Sequence, residues 1–163
     1  MIASEAHRAL SDTLAAFASC LPQVDATGQE ILACLRSGGK VLACGNGGSA
    51  ADALHLAEEF VGRYRGNRRP LPAICLAADV TALTCIGNDF GFNEIFSRQV
   101  TALGQPGDVL VGFSTSGNSA NVLNAFETAR NRQVRTLLLT GQTGGKGKSV
   151  ADTSICVPSH DSA

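Results

Sequence analysis

The residues Ser114-Thr115-Ser116-Gly117-Asn118-Ser119 follow the apolar run Asp108 to Phe113 and precede a helix-like run from Ala120 to Arg132. Four hydroxyls therefore sit where a strand hands over to a helix. The first turn of a helix presents unpaired backbone N–H groups and the positive end of the dipole, and Ser and Thr add donors without adding charge. Such a neutral, many-donor cradle suits the phosphate of a small metabolite. A single Ser here would read as an N-cap or a turn residue, and Ser119 fits the cap position. The concentration of hydroxyls directly after a strand favours anion binding.

A second loop of the same design lies upstream. Lys40 to Cys44 reads as a buried strand, and Gly45-Asn46-Gly47-Gly48-Ser49 runs into a helix over Ala50 to Tyr64. The glycines let backbone N–H groups approach a ligand, Asn46 offers an amide, and Ser49 is expected to cap the helix. In open α/β sheets, ligands bind outside the carboxyl ends of the strands, where the strand order reverses. Both loops belong at such a place.

On the helix after the first loop, His55 and Glu59 are spaced i, i+4, and Arg63 continues the same face. This pair can hold a metal, or the carboxylate can act as a general base tuned by the imidazole. The spacing equally describes a surface stripe of ordinary ion pairs. Glu58, turned roughly 100° away on the helix, is expected to be structural. The segment Gly87-Asn88-Asp89-Phe90-Gly91 is either a turn or an amide and carboxylate pair for sugar hydroxyls, and Asp79 is a helix N-cap candidate.

The elements that must position these residues follow from periodicity. Leu10, Leu14, Phe17 and Leu21 fall at helical spacing, as do Ile31, Leu32 and Leu35 after Asp25, with Gly38-Gly39 as a stop. Strand-like runs near 40–44, 73–77, 108–113, 135–140 and 154–157 then alternate with helical stretches near 50–64, 80–87, 92–103, 120–132 and 145–151. That alternation predicts a five-stranded parallel sheet with helices on both faces. The basic, turn-rich segment Arg65 to Pro70 is expected to be a solvated connection. A single domain over 1–163 is expected, with N-terminal helices over 1–38 and the sheet core over 39–163.

The 163 residues suffice for one packed core, and 44% hydrophobic residues with 17% charged describe a soluble globular chain. A net charge of -1 gives no electrostatic case for nucleic acid or anionic membrane, and no run has the length of a membrane span. Cys20, Cys34, Cys44, Cys75, Cys85 and Cys156 are widely spaced without a Cys-x-x-Cys pair, so they are expected as buried thiols in a reducing cytoplasm rather than as zinc ligands. Gly45-x-Gly-x-x-Ala50 satisfies the dinucleotide fingerprint, yet Asp79 comes too late to be its acidic partner. Gln142 to Ser149 resembles a phosphate-binding P-loop but has Gln142 where a glycine is required; with Lys146 and Lys148 it reads as a flexible basic loop near an anion. Ser159-His160-Asp161 has triad letters only.

Taken together, Gly45 to Ser49, His55-Leu-Ala-Glu-Glu59-Phe-Val-Gly-Arg63-Tyr, Ile86-Gly-Asn-Asp89-Phe-Gly-Phe, Phe96-Ser-Arg-Gln-Val100, Gly107-Asp-Val-Leu and Ser114 to Ser119 resemble the bacterial phosphoheptose isomerases. These are proteins of the sugar isomerase (SIS) domain class. The resemblance implies a flavodoxin-like three-layer sandwich, a homotetramer with active sites between subunits, and conversion of sedoheptulose 7-phosphate to glycero-manno-heptose 7-phosphate for lipopolysaccharide or other surface glycans. Carried over by position, Asn46, Gly47, Gly48, Ser49, Asn88 and Asp89 would contact substrate, with Ser114, Thr115, Ser116 and Ser119 around the phosphate. Glu59 would be the base, and His55 with Glu59 would supply two zinc ligands in members that bind zinc. Family members continue past the position of Ala163 with a helix carrying a Gln and a His that complete the metal site and supply the second acid/base; that helix is not among these residues. An alternative is a non-catalytic SIS module that binds a sugar phosphate or a protein such as a replication initiator. Retention of both His55 and Glu59 favours the enzyme.

Overall fold

A computed structural model describes residues 2–159. Five strands, β1 (Val41–Gly45), β2 (Ala73–Cys75), β3 (Val109–Ser114), β4 (Arg135–Thr140) and β5 (Thr153–Cys156), form one sheet in the order β2-β1-β3-β4-β5. Every neighbouring pair is parallel. Helices α1 (Ile2–Phe17) and α2 (Leu21–Arg36) precede the sheet, and α3 (Gly48–Val61), α4 (Val80–Phe90), α5 (Ser97–Leu103), α6 (Ala120–Asn131) and α7 (Gly147–Val150) connect its strands. The expected α/β sandwich is the one observed.

A parallel sheet covered on both faces needs strands that are apolar on both sides. All five residues of β1 are buried accordingly. Leu42, Cys44, Leu110 and Leu138 pack to one side with Val100 of α5 and Val122 and Phe126 of α6. Val41, Val109, Val111 and Leu137 pack to the other with Cys34 and Leu35 of α2 and, at the cluster's edge, Leu56 and Phe60 of α3. At the amino end of the sheet the buried Asp108 carboxylate accepts from the Lys40 backbone N–H at 2.9 Å, the Lys40 Nζ at 2.6 Å and the Gln105 N–H at 2.8 Å. That carboxylate joins β1 to the turn before β3.

Several expectations are corrected. Helix α2 starts at Leu21 rather than after Asp25, because Pro22 sits in the first turn, where its missing N–H has no partner to lose. The stretch 92–103 is not one helix: a 3-10 turn at Phe92–Glu94 precedes α5. Helix α4 runs on to Phe90 and absorbs the expected turn at Asn88 and Asp89, ending only where Gly91 takes φ 91°. Asp79 caps α4 as expected, its carboxylate accepting from the Ala82 N–H at 3.0 Å. All six cysteines are free; Cys34, Cys44 and Cys75 are buried, whereas Cys20 and Cys156 are half-buried and Cys85 is exposed. Burial pushes the Cys44 thiol well above its ordinary range. Among the described residues no helix is long and apolar enough to cross a membrane.

Two outcomes test this packing. A Cβ on Gly112 of β3 would lie 2.5 Å from Phe126 Cζ, so Gly112→Ala is expected to cost about 1–3 kcal/mol, read from denaturant midpoints. Helix α2 is tied to the sheet by Glu30, which accepts from Arg135 Nε at 2.5 Å and from Thr153 Oγ1 at 3.0 Å. The Arg135 hydrogen bond holds the Glu30 carboxyl below its ordinary value of 4.5. A lowered folded-state pKa means that this contribution is complete above about pH 4.5 and disappears as pH falls through the lower folded value. Glu30→Gln is expected to flatten the acid limb of the stability profile, measured by thermal melts between pH 2.5 and 6 (about two units either side of that carboxylate range).

Candidate functional site

The strand order reverses between β1 and β3, so the chain leaves β1 toward α3 on one face and β3 toward α6 on the other. The two polar loops flank this point at the carboxyl end of the sheet. In the first, the turn is made by Gly47 at φ 58°, a value that favours glycine, and Ser49 N–H donates to the Asn46 carbonyl at 3.0 Å. Helix α3 begins at Gly48, so Ser49 lies inside its first turn and is not its cap. Asn46 does not hold its amide open either: it exchanges two hydrogen bonds, 2.9 and 2.8 Å, with the buried Asn121 at the start of α6. The amides join the two loops directly.

In the second loop, the buried Ser114 hydroxyl and that of Ser119 lie 3.0 Å apart and share one hydrogen bond, which leaves one of the two hydroxyl hydrogens available. Ser119 occupies the cap position of α6 but makes no capping hydrogen bond through its side chain. Thr115 and Ser116 are exposed, and Ser116 Oγ accepts from the Asn118 N–H at 3.1 Å. The loop is clamped from behind by residues 141–147. Gly141 N–H donates to the Thr115 carbonyl, Gly147 N–H to the Gly117 carbonyl, and Lys146 N–H to Asn118 Oδ1. Gly117 has φ 63°, and a Cβ there would come within 1.9 Å of the Gly144 carbonyl oxygen. The segment expected to be a flexible basic loop is therefore packed structure that supports the serines.

Ser49, Ser114 and Thr115 line a cavity of about 330 Å³ together with Asp52 and Ser159. A second cavity of about 550 Å³ holds His55 and Glu59, with Leu56, Phe60, Tyr64 and Arg68. Asp52, Phe113 and Leu139 line both. Ser114 and Thr115 of the serine loop and the His–Glu pair thus open into adjoining concavities, whereas Ser116 and Ser119 line neither. His55 Nε2 lies 3.3 Å from Glu59 Oε1, with the His55 side chain exposed and that of Glu59 half-buried. Glu58 is closer to them than its angular position suggested: ligand atoms of His55, Glu58 and Glu59 all lie within 4.8 Å of one another. Its i, i+3 relation to His55 explains this.

Asn88 and Asp89 are not brought to either cavity. Both are exposed on the last turn of α4, where Asn88 donates to Asp89 Oδ1 at 2.7 Å and the Cys85 thiol to Oδ2 at 3.6 Å. Gly47 and Gly48 are exposed at the mouth of the first loop. His160 and Asp161 lie outside the described residues. Two site residues escaped the sequence reading. Asp52 was legible, since it is three residues from both Ser49 and His55 on one helix; Arg68 belonged to a segment expected to be solvated, yet it is half-buried and its guanidinium donates to the carbonyls of Glu59 at 2.5 Å, Phe60 at 2.9 Å and Arg69 at 2.9 Å.

The SIS domain family model matches residues 7–141. The chain is 54% identical over 149 residues to the phosphoheptose isomerase of Rhodospirillum rubrum, covering 91% of this chain and 79% of that protein. The chain belongs to the phosphoheptose isomerase family of SIS-domain proteins. The phosphoheptose isomerase of Escherichia fergusonii is 58% identical over 123 residues, 76% of this chain, and the match spans 64% of that protein's length. Phosphoheptose isomerase structures from Neisseria gonorrhoeae (TM-score 0.85, 46% identity, 98% of this chain and 83% of that one) and Francisella tularensis (TM-score 0.90, 34% identity, 99% and 88%) share the architecture. Phosphoheptose isomerases are isomerase enzymes, and this chain is one of them.

Removing one donor from the serine loop is the direct probe of anion binding. Ser116→Ala is expected to weaken inorganic phosphate binding roughly tenfold, the order of one hydrogen bond to a charged group, with little change in the denaturation midpoint. Titration calorimetry giving an unchanged affinity would remove Ser116 from the cradle.

Proposed function

We propose that the chain interconverts sedoheptulose 7-phosphate and D-glycero-D-manno-heptose 7-phosphate, supplying precursors for lipopolysaccharide or other surface glycans in the cytoplasm. The observation that carries this reading is the adjoining pair of cavities, one lined by Ser114 and Thr115 of the serine loop and the other by His55 and Glu59. A phosphate held by Thr115, Ser116 and the N–H groups at the start of α6, with Ser114 and Ser119 behind them, would place the far end of a seven-carbon chain beside α3. Asn46, Gly47, Gly48 and Ser49 would form the opposite lip. Asp52, between the two, is placed to accept sugar hydroxyls.

Glu59 is the proposed base. It would take a proton from C1 of the ketose, giving an enediolate that becomes the enediol when O2 is protonated. It would return the proton at C2 as O1 gives up its own, so that one proton moves from C1 to C2 and one from O1 to O2. His55, 3.3 Å away, orients that carboxylate. The pair also fits a zinc ion: bonds of about 2.0–2.1 Å at a tetrahedral angle put two ligand atoms roughly 3.3 Å apart, the separation found here. His55 and Glu59 would hold it, and it would polarise the substrate carbonyl. The thiols, all free, suit a reducing compartment.

A homotetramer with sites at subunit boundaries belongs to the same proposal. Helix α1 has no buried residue, and Leu10 and Leu14 on it are 58% and 61% exposed, which is the surface that association would cover. Asn88 and Asp89 would then serve the site of a neighbouring subunit.

Glu59→Gln decides the matter. General base catalysis is worth about 10²–10⁴-fold, so the substitution is expected to lower turnover of sedoheptulose 7-phosphate by that order and to leave phosphate affinity in place. Turnover by the Gln variant at the parent rate would assign the proton transfer to another group. A parent chain that binds sedoheptulose 7-phosphate and never turns it over would favour the non-catalytic module instead.

A further inference from the structure

A helix ends with carbonyls that have no partner within it, and a cation at that end is doubly favoured, as a donor and against the dipole. Helix α3, which carries His55 and Glu59, ends at Val61. Gly62 N–H takes the Glu58 carbonyl at 2.7 Å. The next two carbonyls, those of Glu59 and Phe60, are taken by Arg68, whose two terminal nitrogens reach them at 2.5 and 2.9 Å. Leu71 N–H adds a second bond to Phe60 at 3.0 Å, fixing the returning chain against the helix. Arg68 also lines the cavity that holds the His–Glu pair.

We infer that Arg68 is a positioning residue for Glu59: its planar fork fixes the backbone of the last turn of α3 and thereby the direction of the carboxylate one peptide away. The inference rests on Glu59 being the base proposed above. A lysine ammonium also has several donors, but it sits on a flexible stem as a point charge and lacks the rigid planar fork that fixes both carbonyls in one geometry. The guanidinium acts through the main chain of Glu59, not on substrate, so its removal should disturb the proton transfer more than binding. Misplacement of a catalytic group by about 1 Å can cost on the order of 100-fold.

The test uses the full chain with sedoheptulose 7-phosphate. Arg68→Met is expected to lower kcat by about 10–100-fold with KM within about twofold, and Arg68→Lys to recover part of the loss. In a Glu59→Gln background, Arg68→Met is expected to cost nothing further, because the group it positions is gone. An equal loss in both backgrounds would mark a general structural role and overturn the inference. So would a rise in KM alone, which would put Arg68 on the substrate, or a kcat unchanged by Arg68→Met. Amide hydrogen exchange over residues 59–62 judges the clamp without turnover: faster exchange in Arg68→Met supports it, and unchanged exchange overturns it. If the parent chain shows no isomerisation, the functional reading falls while this exchange result still stands or fails by itself. If Arg68→Met does not fold, Arg68→Lys carries the same kcat and exchange comparisons.

Discussion

The carboxyl end of the sheet depends on one neutral contact, the reciprocal amide pair between Asn46 and Asn121. Strands β1 and β3 lie side by side, but their outgoing chains part to opposite faces, and parting chains leave a crevice. The amide pair bridges it at the root. Asn121 is 2% exposed, and its Oδ1 also accepts from the Val122 N–H at 3.0 Å, so the start of α6 is fixed by the same group that fixes the start of α3. Leaving a buried amide half-satisfied costs about 1–3 kcal/mol, enough to hold the crevice to one width. The bridge carries no charge. It therefore neither competes with an anion at the loops nor repels one.

The opposite end of the sheet is built on a different principle. There the buried Asp108 is neutralised by Lys40 and by two backbone N–H groups, a full charge sealed among donors. Removing Lys40 would leave the buried Asp108 carboxylate with only its two backbone donors, a penalty larger than the pair's own net worth. The Lys40–Asp108 pair borders a cavity of about 290 Å³ at the amino end, and the carboxylates of Asp52 and Glu59 line the cavities at the carboxyl end.

Much of this was legible in the sequence because a parallel sheet writes itself as apolar runs between polar turns. The strands and most helices were expected within a few residues of where they lie. What failed was decided by contacts the local sequence does not encode. Asn88 and Asp89 are turn formers by preference, yet α4 carries them as helix until Gly91 can turn the chain. Ser49 has the chemistry of a cap, but Gly47 makes the turn one step earlier and draws Ser49 into the helix. Arg68 sits among basic neighbours that do face water; what distinguishes it is a pair of helix carbonyls eight and nine residues back. The contact between the Ser114 and Ser119 hydroxyls is equally invisible in the sequence, since it depends on how the loop closes across five residues.

The contact of Gly117 with Gly144 and Gly147 also fixes when the serine loop can acquire its shape. Its backbone is moulded against a segment that lies after β4 in the chain, so β3 and α6 can be in place while the loop is still unformed. During synthesis residues 114–119 emerge before residues 141–147, which shape them. A nascent chain that ends before Gly147 holds the serines without the backbone that shapes their loop.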